Sequence, residues 1–253
     1  QGRSSAGREL EAGVITEDAM TAAEKQGLAY ATDPTSAWAS TIGGNLAENA
    51  GGKSAVLWGT AIDNVLAWRV VMPGGVTVDV TRMDHPLRKI LPEDEVCFRI
   101  TRDDGAPARD IVLRGGDLRK KSLWKDITNK TLGGVPGLQK EGTDGVITSA
   151  RFILYRAYEK QSTACLEFFG HDMDEASQVI LALSREIRNR GDEALLALEH
   201  FDEEYVRAIG YRVKAAREER PKAVLLIDVV AREDEGLRRG RTALEAIVAR
   251  YPD

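Results

Sequence analysis

The spacing of apolar residues along the chain predicts a mixture of helices and strands. Residues 1–9 are polar and contain glycine and serine, which predicts a frayed end. Thr16 is expected to cap a helix that Gly27 stops, and a short strand is expected at residues 28–31. Four strand-like runs then predict two hairpins, one at residues 65–71 with 76–80 and the other at residues 95–101 with 110–114.

After residue 158 the pattern changes to alternating strands and helices. Strands are expected at residues 164–169, 194–198 and 224–230, and helices at residues 202–209, 234–251 and from Asp172 or Asp174 to near Gly191. The order β-α-β-α-β-α suggests a ferredoxin-like layer that is cut short at Asp253. The sequence therefore predicts an α+β protein with one domain at residues 1–158 and the start of a second at residues 159–253.

Two glycine-rich segments lie between the elements of the first domain. Residues 33–52 read DPTSAWASTIGGNLAENAGG, and residues 132–145 read LGGVPGLQKEGTDG. Both are expected to be loops, and the second is expected to run on into a strand at residues 152–155. Glycine accepts positive φ and lets another group approach the main chain, and successive backbone NH groups in such turns can bind an anion. Plain turns have the same composition, so composition alone leaves both interpretations open.

The order of short motifs in these segments resembles that of a known family. DPTS, TIGGN and ENAGG are followed by WG at residues 58–59 and DNV at residues 63–65, and KEGTDGVIT at residues 140–148 is similar to the form SEGTLGVIT. This order resembles the FAD-linked oxidase family of the vanillyl-alcohol oxidase type, which includes D-lactate, glycolate and D-2-hydroxyglutarate dehydrogenases. In that family the first segment wraps the flavin and the second closes over the dinucleotide.

The resemblance implies a FAD-binding type-4-like α/β subdomain at residues 1–158, followed by the start of a truncated, ferredoxin-like cap domain that binds substrate. It also implies FAD as the cofactor and a small 2-hydroxy acid as the substrate, whose hydride passes to the flavin. The residues that the resemblance places against FAD are Thr35, Ser36, Thr41, Ile42, Gly43, Gly44, Asn45, Glu48, Asn49, Ala50, Gly51, Glu141, Gly142, Gly145, Val146 and Ile147.

Asp144 departs from the family pattern, which usually has leucine there. A carboxylate near a pyrophosphate would be repelled, so we expect Asp144 to point to solvent or to meet Lys140 or Lys130. The two glycine-rich segments are expected to face each other across a groove.

Other parts of the family pattern are absent from the 253 residues. These are the glycine-rich pyrophosphate loop before the helix at Thr16 and the late histidines and glutamate that hold a metal and abstract the substrate proton. We therefore expect this chain by itself to hold little or no FAD and to have no turnover. The DHPL and LWKDIT segments are nearest to large flavoproteins often fused to iron-sulfur modules, so the electron acceptor or such a module is expected outside this chain.

A non-catalytic scaffold or docking domain is the alternative function. It would use the basic run Arg114, Arg119, Lys120, Lys121 and Lys125, for which a solvated face is the simpler interpretation.

Composition narrows the class of protein. The formal net charge of −5 argues against nucleic-acid binding, and no apolar run is long enough to span a membrane or to form a signal peptide. We expect a cytoplasmic protein. Cys97 and Cys165 are isolated and are expected to be small buried hydrophobes, so we assign neither a disulfide nor a metal site.

Overall fold

A computed structural model describes residues 8–118, 131–170, 173–187 and 192–251. The chain divides into two units, Gln1–Ala157 and Tyr158–Asp253. Their assignment as a FAD-binding subdomain and a cap domain stays a prediction.

The first unit is built mainly from strands, with short helices between them. In chain order its elements are β1 (Arg8–Glu11), α1 (Thr16–Glu24), β2 (Leu28–Tyr30), α2 (Ile42–Ala47), α3 (Ala55–Trp58), α4 (Ala61–Asn64), β3 (Val65–Val71), β4 (Thr77–Arg82), β5 (Glu95–Arg102), β6 (Arg109–Arg114), α5 (Gly115–Leu118), β7 (Val146–Phe152) and β8 (Leu154–Arg156). A 3-10 turn lies at Leu132–Gly134.

Six of these strands form one antiparallel sheet in the order β1-β7-β3-β4-β5-β6, and β2 pairs with β8 separately. One face of the large sheet buries apolar side chains such as Trp68 and Phe98. The other face carries bidentate cross-strand ion pairs, of which Arg69 with Asp79 is one. This alternation has the period of two that is expected for a sheet with one face toward the core and the other toward solvent. The pairing of β3 with β4 and of β5 with β6 confirms the two predicted hairpins.

Three predictions in this unit need correction. The N-terminal segment is not frayed throughout, because Arg8 and Glu9 pair with β7. Thr16 is the first residue of α1 rather than its cap, and its hydroxyl bonds to Ser40 instead. The strand expected at residues 152–155 is the junction of β7 and β8.

The second unit alternates strands and helices in the predicted order. Its elements are β9 (Lys160–Phe168), α6 (Asp174–Glu186), β10 (Glu193–Asp202), α7 (Glu203–Ala208), β11 (Ala223–Ala231) and α8 (Asp234–Val248). The strands form an antiparallel sheet in the order β10-β11-β9. Asp202 caps α7 by accepting from the NH of Tyr205 at 2.8 Å. Asp172, the alternative cap for α6, lies outside the described residues. The ferredoxin-like form of this unit stays a prediction.

Candidate cofactor site

The first glycine-rich segment is not a continuous loop, because it contains helix α2. The Thr41 side chain caps this helix by accepting a hydrogen bond from the NH of Gly44 at 3.2 Å. Ile42 and Leu46, four residues apart, are completely buried in the core. The cap and these two anchors outweigh the poor helix propensity of two adjacent glycines. The prediction of a loop throughout residues 33–52 was therefore wrong here.

The start of α2 is hydrogen-bonded to the chain that follows β1. The NH of Ile42 donates to the Val14 carbonyl at 3.0 Å, and the NH of Gly43 donates to the Ala12 carbonyl at 2.9 Å. Ala12 in turn donates to the carbonyl of Thr148 at 2.9 Å. A Cβ on Gly43 would lie 2.9 Å from the Ala12 Cβ, which is closer than real contacts allow. The fold itself therefore requires glycine at position 43.

Gly44 differs from Gly43, because it is exposed on the outer face of α2. A Cβ there would meet only the Thr41 Oγ1, at 3.3 Å. Glu48 is exposed four residues later, on the same face. Asn45 points the other way, since its buried side chain donates to the Thr16 Oγ1 at 2.9 Å. The accessible side of α2 is thus formed by Gly44 and Glu48.

The ENAGG motif folds back onto its own chain. Asn49 has a positive φ of 53°, and its Oδ1 accepts from the NH of Ile62 at 2.9 Å. Ala50 and Gly51 are half-buried, and a Cβ on Gly51 would lie 3.0 Å from a Thr60 methyl. These contacts hold the loop between α2 and α4.

Asp33 ties the beginning of the first segment to its end. Its carboxylate accepts from the Ser54 hydroxyl at 2.6 Å and from the Ser54 NH at 3.2 Å. Burial raises the pKa of Asp33, and the bonds from Ser54 oppose that shift. A Cβ on Gly52 would overlap the Asp33 carbonyl oxygen at 1.8 Å. Asp33 was absent from the predicted site residues, although an aspartate before proline is a recognisable turn signal.

The two glycine-rich segments contact each other directly. The NH of Gln139 donates to the Leu46 carbonyl at 3.0 Å, and the NH of Glu141 donates to the Ala47 carbonyl at 3.0 Å. The Asn49 side chain also donates to the Gln139 Oε1 at 3.4 Å. We expected a groove between the two segments. That expectation was wrong at these residues, because hydrogen bonds join the segments directly.

The second segment presents an exposed stretch beyond this contact. Glu141 and Gly142 are exposed, and a Cβ on Gly142, whose φ is 72°, would meet nothing within 4 Å. Val146 is 67% exposed and Ile147 is half-buried. Gly145 is packed, because a Cβ there would lie 2.6 Å from a Val70 methyl. Of the predicted FAD residues at 141–147, the exposed ones are therefore Glu141, Gly142 and Val146.

Asp144 does not point to solvent. Its Oδ2 accepts from the NH of Gly137 at 3.0 Å, and its Oδ1 is buried with no hydrogen-bond partner among the described residues. Burial lowers the pKa of Lys140, and the charge of the Asp144 carboxylate opposes that shift. The Lys140 ammonium donates to the Thr131 carbonyl at 3.2 Å. Lys130 lies outside the described residues.

Hydroxyl groups gather at the end of β2 and in the turn that follows it. Thr35 and Ser36 are exposed. Thr32 is fully buried and Tyr30 nearly so, and within the described ranges neither hydroxyl makes a hydrogen bond of good geometry. Burial raises the pKa of Tyr30, and the neighbouring side chains of Asn45 and Thr32 oppose that shift. A buried hydroxyl without a partner marks a place where a ligand group or a water supplies the missing bond.

A cluster of buried polar groups surrounds Asp63 of α4. The sequence pattern did not predict this cluster. The carboxylate of Asp63 accepts from the NH groups of Thr60 and Ile90, each at 2.7 Å. The Arg82 guanidinium donates to the Asp63 carbonyl at 2.9 Å, and His85 Nε2 lies 2.7 Å from the same oxygen. Burial first, and then the charge of Arg82, lowers the pKa of His85 to about 4. Asp63, expected at a strand entry, lies in α4.

The WG motif is placed by an aromatic stack. The Trp58 ring stacks on the Tyr155 ring with a centroid distance of 5.1 Å and an interplanar angle of 9°. Gly59 has a φ of 79°, and a Cβ there would overlap the Asp63 carboxylate. The motif therefore has a packing role within the first unit.

The histidines, cysteines and basic residues considered from the sequence do not form a metal site in the described part of the chain. The described ranges hold no group of three or more His, Cys, Asp or Glu side chains that could bind a metal ion. Cys97 and Cys165 are free and half-buried rather than buried. Of the basic run, Arg114 is exposed, and the other four residues lie outside the described residues. No helix in the described part of the chain is long and apolar enough to cross a membrane.

Sequence comparison relates part of the first unit to known proteins. Residues 8–81 match the family model described as the FAD binding domain. The chain is 29% identical over 171 residues to the glycolate oxidase subunit GlcD of Bacillus subtilis (strain 168), an alignment that covers 68% of this chain and 27% of that protein. It is 48% identical over 69 residues to the D-lactate dehydrogenase of Anaerostipes hadrus, covering 27% of this chain and 14% of that protein.

The fold is also found in solved structures. An alkyldihydroxyacetonephosphate synthase superposes with a TM-score of 0.61 over 96% of this chain and 38% of its own, at 16% identity. At that identity the match concerns the fold alone. In each comparison this chain spans well under two thirds of the other protein.

The match of residues 8–81 thus identifies a FAD binding domain in the first unit. Together with the two relatives, it confirms the resemblance to FAD-linked oxidases that the motifs predicted, and it supports FAD as the cofactor.

Proposed function

We propose that the full-length protein is a FAD-dependent dehydrogenase of a small 2-hydroxy acid. In this proposal the first unit supplies part of the FAD site, and the second is the start of the substrate-binding cap domain. The observation that carries the proposal is the pairing of Gln139 and Glu141 with the end of α2, since it brings both flavin motifs of the family onto one surface. The names of the two curated relatives support the substrate class.

The predicted FAD residues divide into three groups by exposure. Thr35, Ser36, Gly44, Glu48, Glu141, Gly142 and Val146 are exposed and can touch a ligand directly. Ile42, Gly43, Asn45 and Asn49 are buried and hold the backbone in place. Thr41, Ala50, Gly51, Gly145 and Ile147 lie between these extremes.

These residues fit a dinucleotide. The bare Cα faces of Gly44 and Gly142 let a flat or charged group approach the main chain closely. The hydroxyls of Thr35 and Ser36 can donate to phosphate oxygens, while Val146 offers an apolar contact. Most NH groups at the start of α2 already have partners in the protein, so contact there falls to the exposed Cα surface.

Bound FAD would supply the redox chemistry, accepting hydride from the substrate α-carbon and passing electrons to an acceptor outside this chain. The chain's own contribution is to position the cofactor and exclude water from it. An iron-sulfur module as the acceptor and a cytoplasmic location remain part of the proposal.

The experiment is an anaerobic spectral titration of the full-length protein. Purified protein should carry a flavin absorption band that bleaches on addition of D-lactate, glycolate or D-2-hydroxyglutarate. A flavin band that none of the three bleaches would remove the proposed substrate class. A colourless protein that takes up no added FAD would remove the enzyme altogether and leave the scaffold alternative.

A further inference from the structure

The segment at residues 82–90 is fixed to helix α4 at both of its ends. It contains the DHPL motif and lies outside both glycine-rich segments. At its start, the Arg82 guanidinium donates to the carbonyls of Asp63 at 2.9 Å and of Ile62 at 3.3 Å. At its end, the NH of Ile90 donates to the Asp63 carboxylate at 2.7 Å. The position of α4 therefore depends on this segment.

Arg82 is a buried cation whose hydrogen bonds go to the main chain. It is 6% exposed. Its Nε donates to the Asp84 carbonyl at 2.9 Å, and its Nη1 makes the two bonds to α4. Burial lowers the pKa of Arg82, and the charge of Asp63 is the largest effect that opposes this shift. Because burying a guanidinium is costly, its bonds to several carbonyls at once favour a single geometry. Arg82 thus holds the segment and α4 in one arrangement.

Ile62 connects α4 to the first glycine-rich segment. It is completely buried. Its NH donates to the Asn49 Oδ1 at 2.9 Å, while its carbonyl accepts from Arg82. The main chain of Ile62 is therefore bonded on one side to the ENAGG motif and on the other side to Arg82. Groups in a close-packed core do not shift singly, so a change at Arg82 reaches Asn49 through this residue.

Asn49 continues the connection to the second glycine-rich segment. Its Nδ2 donates to the Gln139 Oε1 at 3.4 Å, and the NH of Gln139 donates to the Leu46 carbonyl at 3.0 Å. Asn49 is 7% exposed and has a φ of 53°, a conformation that asparagine accepts more readily than most other residues. The path from Arg82 through Ile62 and Asn49 thus ends where the two glycine-rich segments join.

We propose that Arg82 is a positioning residue for the FAD surface, acting through Ile62 and Asn49 without touching the cofactor. Its bonds fix α4, the bond from α4 orients Asn49, and Asn49 aligns the two glycine-rich segments. This inference rests on the proposed FAD surface. It adds a residue that lies outside both segments and just beyond residues 8–81, which match the family model.

The first test measures the FAD dissociation constant of the flavin-free, full-length protein. Arg82→Lys keeps the charge, but its single nitrogen cannot reach the carbonyls on both sides of the guanidinium, so FAD should bind about tenfold more weakly. Arg99→Lys is the matched control, because it makes the same substitution at an exposed arginine that bonds to Asp110. It should bind FAD as wild type does.

A double variant tests whether Arg82 acts through Asn49. Asn49→Gly keeps the positive φ but removes the side-chain bonds to Ile62 and Gln139. Once those bonds are gone, the state of Arg82 should no longer matter. The double variant Arg82→Lys/Asn49→Gly should therefore bind FAD within about twofold of Asn49→Gly alone. Losses that multiply in the double variant would mean that the two residues act independently, which would overturn the proposal.

Hydrogen exchange separates positioning from a local structural role. In flavin-free Arg82→Lys, peptides covering residues 46–51 and 139–141 should exchange faster than in wild type. A purely structural role would accelerate exchange only at residues 60–64 and 82–90, and that result would contradict the proposal.

The same method applied to wild-type protein does not depend on whether an Arg82 variant folds. FAD binding should slow exchange at residues 82–90, and Asn49→Gly should abolish this remote protection. Protection that persists in Asn49→Gly would mean that residues 82–90 touch FAD directly, and its absence from wild type would mean that they are not coupled to the site. Either result would overturn the proposal.

Failure of this inference is distinguishable from failure of the proposed function. FAD binding that slows exchange in neither glycine-rich segment would remove the FAD surface and this inference with it. Protection of both segments, together with wild-type FAD affinity in Arg82→Lys, would remove only the role of Arg82.

Discussion

The backbone NH of Gln139 donates a 3.0 Å hydrogen bond to the carbonyl oxygen of Leu46. The last carbonyls of a helix have no partner within it, so this bond and the neighbouring one from Glu141 to Ala47 help to close the end of α2. Both donors have positive φ, 55° and 54°, although neither is glycine. The second glycine-rich segment is therefore the C-terminal closure of the helix in the first.

An added side chain should lower the stability of the fold at Gly43, whereas at Gly44 it should lower the flavin content instead. Gly43→Ala should lower the free energy of unfolding by about 1–3 kcal/mol, because the new methyl overlaps Ala12. Gly44→Val should leave the unfolding free energy within about 1 kcal/mol of wild type, since only the Thr41 Oγ1 is near. It should nevertheless strip flavin from the full-length protein. Chemical denaturation and flavin absorbance measure the two effects.

Equal flavin content in Gly44→Val and wild-type protein would sink the assignment of Gly44 to the FAD surface. Gly44→Ala is the matched control, because it adds a smaller group at the same place and should lose less flavin.

Asp63→Asn should destabilise the first unit by about 2–3 kcal/mol. Both carboxylate oxygens accept from backbone NH groups, those of Thr60 and Ile90, and an amide can accept at only one of them. Asp79→Asn is the control, since Asp79 is exposed and pairs with Arg69, and should change stability by about 1 kcal/mol or less. Similar unfolding free energies for the two variants would contradict the role given to Asp63.

The strands were predictable because their signals are local. The hairpins β3–β4 and β5–β6 follow from apolar runs separated by turn-forming residues, and the alternation of the second unit follows from period changes in the pattern. Helix α2 was not predictable in this way. Its sequence IGGNLA has two helix-breaking residues, and it forms because Ile42 and Leu46 are buried by distant parts of the chain.

The candidate site was predicted as a list of residues but not as a surface. Resemblance selected Gly43 and Gly44 together, and only the packing against Ala12 separates a glycine that the fold needs from one that is open to a ligand. The cluster around Arg82 and His85 gave no signal, because residues far apart in sequence make its bonds to the carbonyl of Asp63.

Asp144→Asn should keep the unfolding free energy within about 1 kcal/mol of wild type, because its remaining oxygen can still accept from Gly137. Asp144→Leu restores the common family residue but leaves that buried NH without an acceptor, so we expect a loss of about 1–2 kcal/mol. FAD affinity of the full-length protein should be unchanged or tighter in Asp144→Leu. A clear loss of affinity would instead mean that the unpartnered Oδ1 contacts the cofactor.

The free energy of unfolding should fall as the pH drops and His85 becomes protonated. Its pKa is lowered from 6.5 to about 4 in the folded protein, so the unfolded chain binds the proton first as pH drops. The stabilisation is complete above about pH 6.5 and is lost between there and about pH 4. Because His85 is partly exposed, we expect a loss of about 2 kcal/mol from this group.

His85→Gln should remove that part of the pH dependence, since glutamine does not titrate. The charged groups facing His85 are Arg82 and Asp84, and its ring also bonds to the Asp63 carbonyl and the Leu87 NH; these groups stay in place. Denaturation at about pH 7 and about pH 4.5 gives the measurement. Equal losses of stability in variant and wild type over this range would contradict the account.

The central claim is that the two joined glycine-rich segments form one FAD surface, and hydrogen exchange tests it most directly. Exchange is measured by mass spectrometry on the full-length protein, flavin-free and loaded with FAD. Peptides covering residues 35–51 and 141–147 should exchange more slowly when FAD is bound, while the β5–β6 hairpin should not change. FAD binding that leaves both glycine-rich segments unprotected, or that protects only one of them, would contradict the account.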